Sequence, residues 1–133
     1  MLVADATGGI GLEWSSVEMQ KVKMNASKQV FHSNHYLVKH PGVHDTNWIG
    51  EDSVFRVGRI EELCKSIAPW PTAGTIADLF KDQKNFPGAI CRAQEQGCKS
   101  ATLFNIVMDL KGGVATVTLG RPVAPEEVVQ LVF

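Results

Sequence analysis

Apolar and polar residues alternate in strand fashion at both ends of the chain and recur at helical spacing in the middle. Leu2-Val3-Ala4 is a short apolar start, and Gly8-Gly9 is a turn signal. Ile10 to Trp14 and Met19 to Met24 then alternate as strands, and Asn25-Ala26-Ser27 is a second turn. Val30 to Val38 reads as the strongest strand of this half, with Val30, His32, Asn34, Tyr36 and Val38 on one face. The other face carries Phe31, Ser33, His35 and Leu37. Both faces mix apolar and polar side chains, so the strand is expected to be largely buried, with polar groups that must be satisfied or used.

His40 to Gly50 reads as a loop carrying Pro41-Gly42 and Asp45. A helix follows, with Ser53 as its N-cap and Val54, Val57, Ile60, Leu63 and Ile67 at helical spacing, until Pro69 and Pro71 stop it. A second helix starts near Thr72 and uses Ile76, Leu79 and Phe80. Asn85-Phe86-Pro87-Gly88 is a turn. Thr102 to Leu110 alternates, Lys111-Gly112-Gly113 closes a hairpin, Val114 to Leu119 returns, and Val128 to Phe133 is a final strand. Strands, two helices and strands again make an α+β pattern, with the helices on one face of an antiparallel sheet. The chain opens in strand and closes in strand with neither edge blunted, so residues 1–133 are expected to be one domain's portion of something larger.

Composition narrows the class of protein rather than the chemistry. With 133 residues, 44% hydrophobic and 20% charged, the chain can bury a core. A net charge of −1 without runs of lysine or arginine argues against nucleic acid as a partner. No apolar stretch approaches the roughly 20 residues that span a bilayer, and the N-terminus has no signal-peptide pattern. Cys64, Cys91 and Cys98 are odd in number and irregularly spaced, which favours reduced thiols inside a cell. Four histidines suggest a metal, but His32 and His35 would face opposite sides of a strand, and His40 and His44 have only Asp45 nearby. No metal is expected. Gly112-Gly113 is not a phosphate loop, because no helix or lysine-serine pair follows.

Two stretches carry a family likeness: Phe31-His32-Ser33-Asn34-His35-Tyr36-Leu37 and Ala101-Thr102-Leu103-Phe104-Asn105-Ile106. Three more follow the same pattern in order: Gly11 to Ser15, Phe86 to Ala93, and Ala115 to Pro122. Together they resemble the isopenicillin-N acyltransferases and related cysteine-type amidohydrolases across essentially the whole chain, in the carboxy-terminal part of such an enzyme. That resemblance implies a portion of a four-layer αββα N-terminal-nucleophile sandwich, with antiparallel sheets and two central helices. It also implies an acyl-cysteine intermediate, formed by a cysteine whose own α-amino group takes the thiol proton. That cysteine belongs before the point where this chain begins, and none of the three cysteines stands in its place. The chain alone is therefore expected to be inactive, with a segment carrying the nucleophile as its partner.

By the same resemblance, Asn34 matches an asparagine whose amide steadies the oxyanion, and Arg56 an arginine that in the wider group, bile-salt hydrolases included, lies near the nucleophile. The plainer readings are a satisfied structural amide for Asn34, and for Arg56 an ion pair with Glu51 or Glu62. Ser15 falls where the family has a pocket serine, against an ordinary hydroxyl at a strand end. Lys99 and Cys98 fall near the family's carboxylate-binding arginine and a serine. A lysine is a point charge rather than a bidentate fork, which favours a broader amide or peptide-conjugate substrate over penicillin chemistry. The expected partner is a small acyl or amide molecule. No cofactor is expected, acyl-CoA entering as substrate. The family also points to cytoplasm or peroxisome, though the chain ends Leu131-Val132-Phe133 rather than in a peroxisomal tripeptide. The rival function is a non-catalytic, degenerate member that binds an acylated ligand or a partner chain.

Overall fold

The computed structural model describes residues 1–43 and 50–133, which form two compact units, Met1–Val57 and Gly58–Phe133. The elements run β1 (Leu2–Asp5), β2 (Gly8–Trp14), β3 (Met19–Val22), α1 (Glu51–Lys65), α2 (Ala73–Leu79), β4 (Phe104–Asp109), β5 (Val114–Arg121) and β6 (Ala124–Val132). They make two three-stranded antiparallel sheets, ordered β1-β2-β3 and β4-β5-β6. The chain is α+β, in the expected order of elements.

In the first unit, Asp5 pairs with Gly8 across the β1–β2 hairpin, so the turn is Ala6-Thr7 and the Gly8-Gly9 pair lies inside β2. The reason is an aspartate: Asp5 Oδ1 accepts from the Thr7 N–H at 2.7 Å and the Gly8 N–H at 3.1 Å. Gly11 is needed for proximity, since a Cβ there would meet the Val22 Cβ at 2.8 Å. Asn25 closes its turn as expected, its Oδ1 accepting from the N–H groups of Ser27 and Gln29.

Val30 to Val38 is not a strand. It is an irregular, half-buried run with bends at Asn34-His35 and Leu37-Val38. Its backbone finds partners outside any ladder: Leu37 and Val38 donate to the Glu13 carboxylate, and Asn34 donates to the Ser53 hydroxyl. Alternation without one consistently apolar face was a weak strand signal, and side-chain acceptors from elsewhere took the N–H groups.

Helix α1 starts at Glu51, so Ser53 stands inside its first turn and donates its N–H to the Gly50 carbonyl at 2.7 Å rather than capping it. Ser53 is buried and Val54 is exposed, which shifts the inward side of the helix off the expected stripe. Helix α2 starts where expected, and Thr72 turns out to be its N-cap, with Oγ1 accepting from the Thr75 N–H at 3.1 Å. The β4–β5 turn falls at Lys111-Gly112-Gly113, where Asp109 Oδ1 accepts from Lys111 and Gly112 and Gly113 takes φ +67°. The buried apolar residues of this second unit are Leu79, Ala89, Cys91, Ala93, Val107 and Ala115, mostly small. Helix α2 packs on β4.

Candidate active site

The stretches that carry the family likeness join each other within each unit. In the second, the Arg92 N–H donates to Thr102 Oγ1 at 3.0 Å and the Thr102 N–H to the Arg92 carbonyl at 3.2 Å. In the first, Glu13 of β2 binds the segment 32–40, and the Tyr36 hydroxyl donates to the Trp14 carbonyl at 2.7 Å.

Glu13 is the hub of the first unit. Its side chain is 1% exposed. Oε1 accepts from the Leu37 N–H at 2.7 Å and lies 2.8 Å from His32 Nε2. Oε2 accepts from the Val38 N–H at 3.2 Å and lies 3.2 Å from His40 Nε2. An ionised carboxylate only accepts, so both Nε2 atoms donate to it. Burial opposes the charge, but the Leu37 and Val38 N–H groups and then the two rings outweigh it, holding the carboxyl below its ordinary range. His32 Nδ1 faces the Ser33 carbonyl, and the Tyr36 and His40 rings pack with centroids 4.2 Å apart.

Between the two ends of this clamp lies Asn34. It is exposed, not sunk in a strand as expected, and lies at the bend Asn34-His35. Asn34 Oδ1 accepts from Arg56 Nη2 at 2.7 Å. Ser53 Oγ accepts from the Asn34 N–H at 2.8 Å and bonds His35 Nδ1 at 2.8 Å. Arg56 in turn donates from Nε to the Asp52 carbonyl at 3.3 Å and lies 3.7 Å from Asp52 Oδ2. Among the described residues its acidic neighbour is Asp52 rather than Glu51 or Glu62; Glu62 pairs with Arg59, which also holds Asp82 at 2.6 Å.

The other expected site residues are placed less tellingly. Ser15 Oγ accepts from the Val17 and Glu18 N–H groups at 3.1 Å each, closing the β2–β3 turn. Lys99 and Cys98 lie in an irregular loop of the second unit, where Lys99 is exposed and the Cys98 thiol donates to the Ser100 carbonyl at 3.1 Å. Cys64 sits in α1, and burial pushes its thiol up, the opposite of what activates a nucleophile. His44 and Asp45 lie outside the described residues. Among the described residues, no three His, Cys, Asp or Glu side chains are grouped to hold a metal, and no helix is long and apolar enough to cross a membrane. The sequence reading passed over Glu13 as one member of an alternating strand. The available signal was a carboxylate two residues from Gly11, on the face of β2 that turns inward.

The first unit thus presents an amide held by a guanidinium, on a segment fixed by a buried carboxylate, within an α+β chain of antiparallel sheets. The model of the acyl-coenzyme A:6-aminopenicillanic acid acyl-transferase family matches residues 1–124, and the chain belongs to that family. It is 37% identical over 135 aligned positions to the acyl-coenzyme A:6-aminopenicillanic-acid-acyltransferase 40 kDa form of Emericella nidulans. That match takes in all of this chain and 37% of the relative, so the chain spans little more than a third of the relative's length.

Proposed function

We propose that this chain supplies the oxyanion-binding part of an acyltransferase or amidohydrolase that works through an acyl-cysteine, with the nucleophile on polypeptide outside residues 1–133. The attacking sulfur forms a bond to the acyl carbon and its proton passes to the cysteine's own α-amino group. The C–N or thioester bond then breaks, the leaving amine or thiol carries the proton away, and an acceptor amine or water later takes the acyl group. What this chain contributes is the donor for the oxygen that becomes negative along the way. The 2.7 Å bond from Arg56 to Asn34 Oδ1 carries the reading. It occupies the oxygen end of the amide and leaves the Nδ2 hydrogens for an oxyanion, while the guanidinium draws charge toward Oδ1 and strengthens them as donors. The likeness to a curated acyltransferase supports this chemistry, and the two helices and two antiparallel sheets are consistent with part of an αββα sandwich. Ser15, Cys98 and Lys99 remain our choices for contacts to substrate beyond the acyl carbonyl.

A chimera tests the proposal: residues 1–133 replace the matching part of the Emericella nidulans relative, and acyl transfer from an acyl-CoA to 6-aminopenicillanate is followed. Asn34→Ala in that chimera is expected to lower kcat by roughly 10²–10³ with KM nearly unchanged, the usual loss for one oxyanion donor. An Asn34→Ala chimera as active as its parent would overturn the assignment. Retained binding of an acylated ligand with no turnover in any form would favour the non-catalytic alternative.

A further inference from the structure

Asn34 is exposed and lies outside both sheets, so no strand ladder fixes where its amide points. Glu13 holds the flanks of its segment, at His32 before Asn34 and at Leu37, Val38 and His40 after it. Asn34 itself is held from α1. Arg56 Nη2 donates to the side-chain Oδ1 at 2.7 Å, and Ser53 Oγ accepts from the backbone N–H at 2.8 Å. Residues three apart on a helix are neighbours on one face, so a single face of α1 grips both the side chain and the backbone of one asparagine. The two grips differ in stiffness. A guanidinium on a long, rotamer-rich side chain can follow an amide that swings. Ser53 is 3% exposed and its oxygen sits directly on the Cβ of a helical residue, so it cannot follow.

We infer that Ser53 is a positioning residue for the oxyanion donor: its hydroxyl fixes the Asn34 backbone so that the Nδ2 hydrogens, with Oδ1 held by Arg56, point one way. The inference rests on the reading of Asn34 given above. A hydroxyl has one proton to give and two lone pairs with which to accept. Ser53 Oγ accepts from the Asn34 N–H, and among the described residues the acceptor for its own proton is His35 Nδ1, 2.8 Å away. The bonds run in one direction, from the Asn34 N–H through the Ser53 O–H to the imidazole, and each strengthens the next. His35 is thereby held as the tautomer with its hydrogen on Nε2. A hydroxyl this enclosed keeps its partners, because solvent has little room to replace them.

The test extends the chimera to a double-mutant cycle. Ser53→Ala is expected to lower kcat roughly 10- to 100-fold with KM nearly unchanged, the loss that follows when a group is displaced by an ångström or less. In an Asn34→Ala chimera the same substitution should lower kcat no further, since no donor remains to be misplaced. In residues 1–133 themselves, amide exchange at Asn34 should quicken about 10-fold in Ser53→Ala, while Leu37 and Val38 keep the parent's protection. His35→Leu leaves the hydroxyl in place and removes its acceptor. It should give a smaller fall in kcat, again absent without Asn34, and it serves where Ser53→Ala does not fold. The inference is overturned by a Ser53→Ala chimera with the parent's kcat or by an equal loss with and without Asn34. It is equally overturned if exchange quickens at Leu37 and Val38 as much as at Asn34, which would make Ser53 an ordinary structural hydroxyl. An Asn34→Ala chimera with full activity would sink the oxyanion reading and this inference with it. Full activity in Ser53→Ala beside a loss in Asn34→Ala would sink this inference alone.

Discussion

The two units bury opposite kinds of chemistry. In Met1–Val57 the enclosed side chains among the described residues are Glu13, His40 and Ser53, and backbone N–H groups of Asn34, Leu37 and Val38 are taken by side chains from elsewhere. In Gly58–Phe133 the enclosed residues are chiefly small and apolar, and regular ladders hold the backbone while a sheet face of large residues points outward. A buried polar network fixes one geometry at a high cost for any missing partner. A sheet face whose side chains are exposed tolerates local change on that side. The first arrangement holds the segment that carries Asn34 in one orientation.

The sharpest way to break this contrast is Glu13→Ala. It removes the acceptor for the Leu37 and Val38 N–H groups and for both imidazole rings at once. Loss of one member of such a buried charged network costs about 3–5 kcal/mol. Amide exchange at Leu37 and Val38 should quicken correspondingly, and unchanged exchange would mean that Glu13 is a bystander. Glu13→Gln should cost less but still destabilise, because its NH2 group would face a donor.

Acid offers a softer version of the same cut. The Glu13 carboxyl sits below its ordinary value of 4.5, so folding binds its proton less tightly than the unfolded chain does. Its stabilisation is therefore fully present above the unfolded value and fades as pH falls through the lowered folded one. Protection of the Leu37 and Val38 amides should fall across that acidic window. Glu13→Gln should erase the Glu13 part of that dependence, and an identical acid limb in the variant would place its origin elsewhere.

In the second unit, neighbours on β4 should respond unequally. Val107 is 8% exposed on the α2 side of the sheet, and Val107→Ala should cost about 1–3 kcal/mol through lost burial and the space left behind. Ile106→Ala, one residue away on the open face, should cost under about 0.5 kcal/mol in the chain alone. Urea midpoints of the two variants measure this. Equal losses would mean that the face is covered and would erase the distinction between the units.

How much of this was legible beforehand follows the same division. The second unit could be read locally: Thr72 before a helical run, prolines at 69 and 71, and Lys111-Gly112-Gly113 between alternating segments each act within a few residues of themselves. The first unit could not. Val30 to Val38 departs from a strand because a carboxylate from Glu13 and a hydroxyl from Ser53 satisfy its N–H groups, and neither is near in sequence. Ser53 looked like a cap for the same reason that it is useful here, a short hydroxyl able to accept from backbone. Its customer was the Asn34 N–H on another segment. The likeness to the family brought Asn34 and Arg56 forward for separate roles, and the 2.7 Å bond between them was not foreseen. It left Glu13 unremarked, since its stretch was read as strand pattern rather than as a source of acceptors.

The smallest expected effect concerns the N-cap of α2, a helix whose start near Thr72 was expected from the sequence. Thr72 stands just before α2 with extended backbone, and its Oγ1 takes the Thr75 N–H, which would otherwise lack an intrahelical partner. At seven residues α2 is too short to persist on propensity alone, so it depends on this bond and on the packing of Leu79. Thr72→Ala should cost about 1 kcal/mol and Thr72→Ser much less, because serine restores the acceptor. Since α2 packs on the covered side of β4, fraying at its start should show as faster amide exchange at Thr75 with little change on the open face. A Thr72→Ala chain as stable as its parent would mean that sheet packing alone holds the helix, and the second unit would owe nothing to side-chain acceptors of the kind that organise the first.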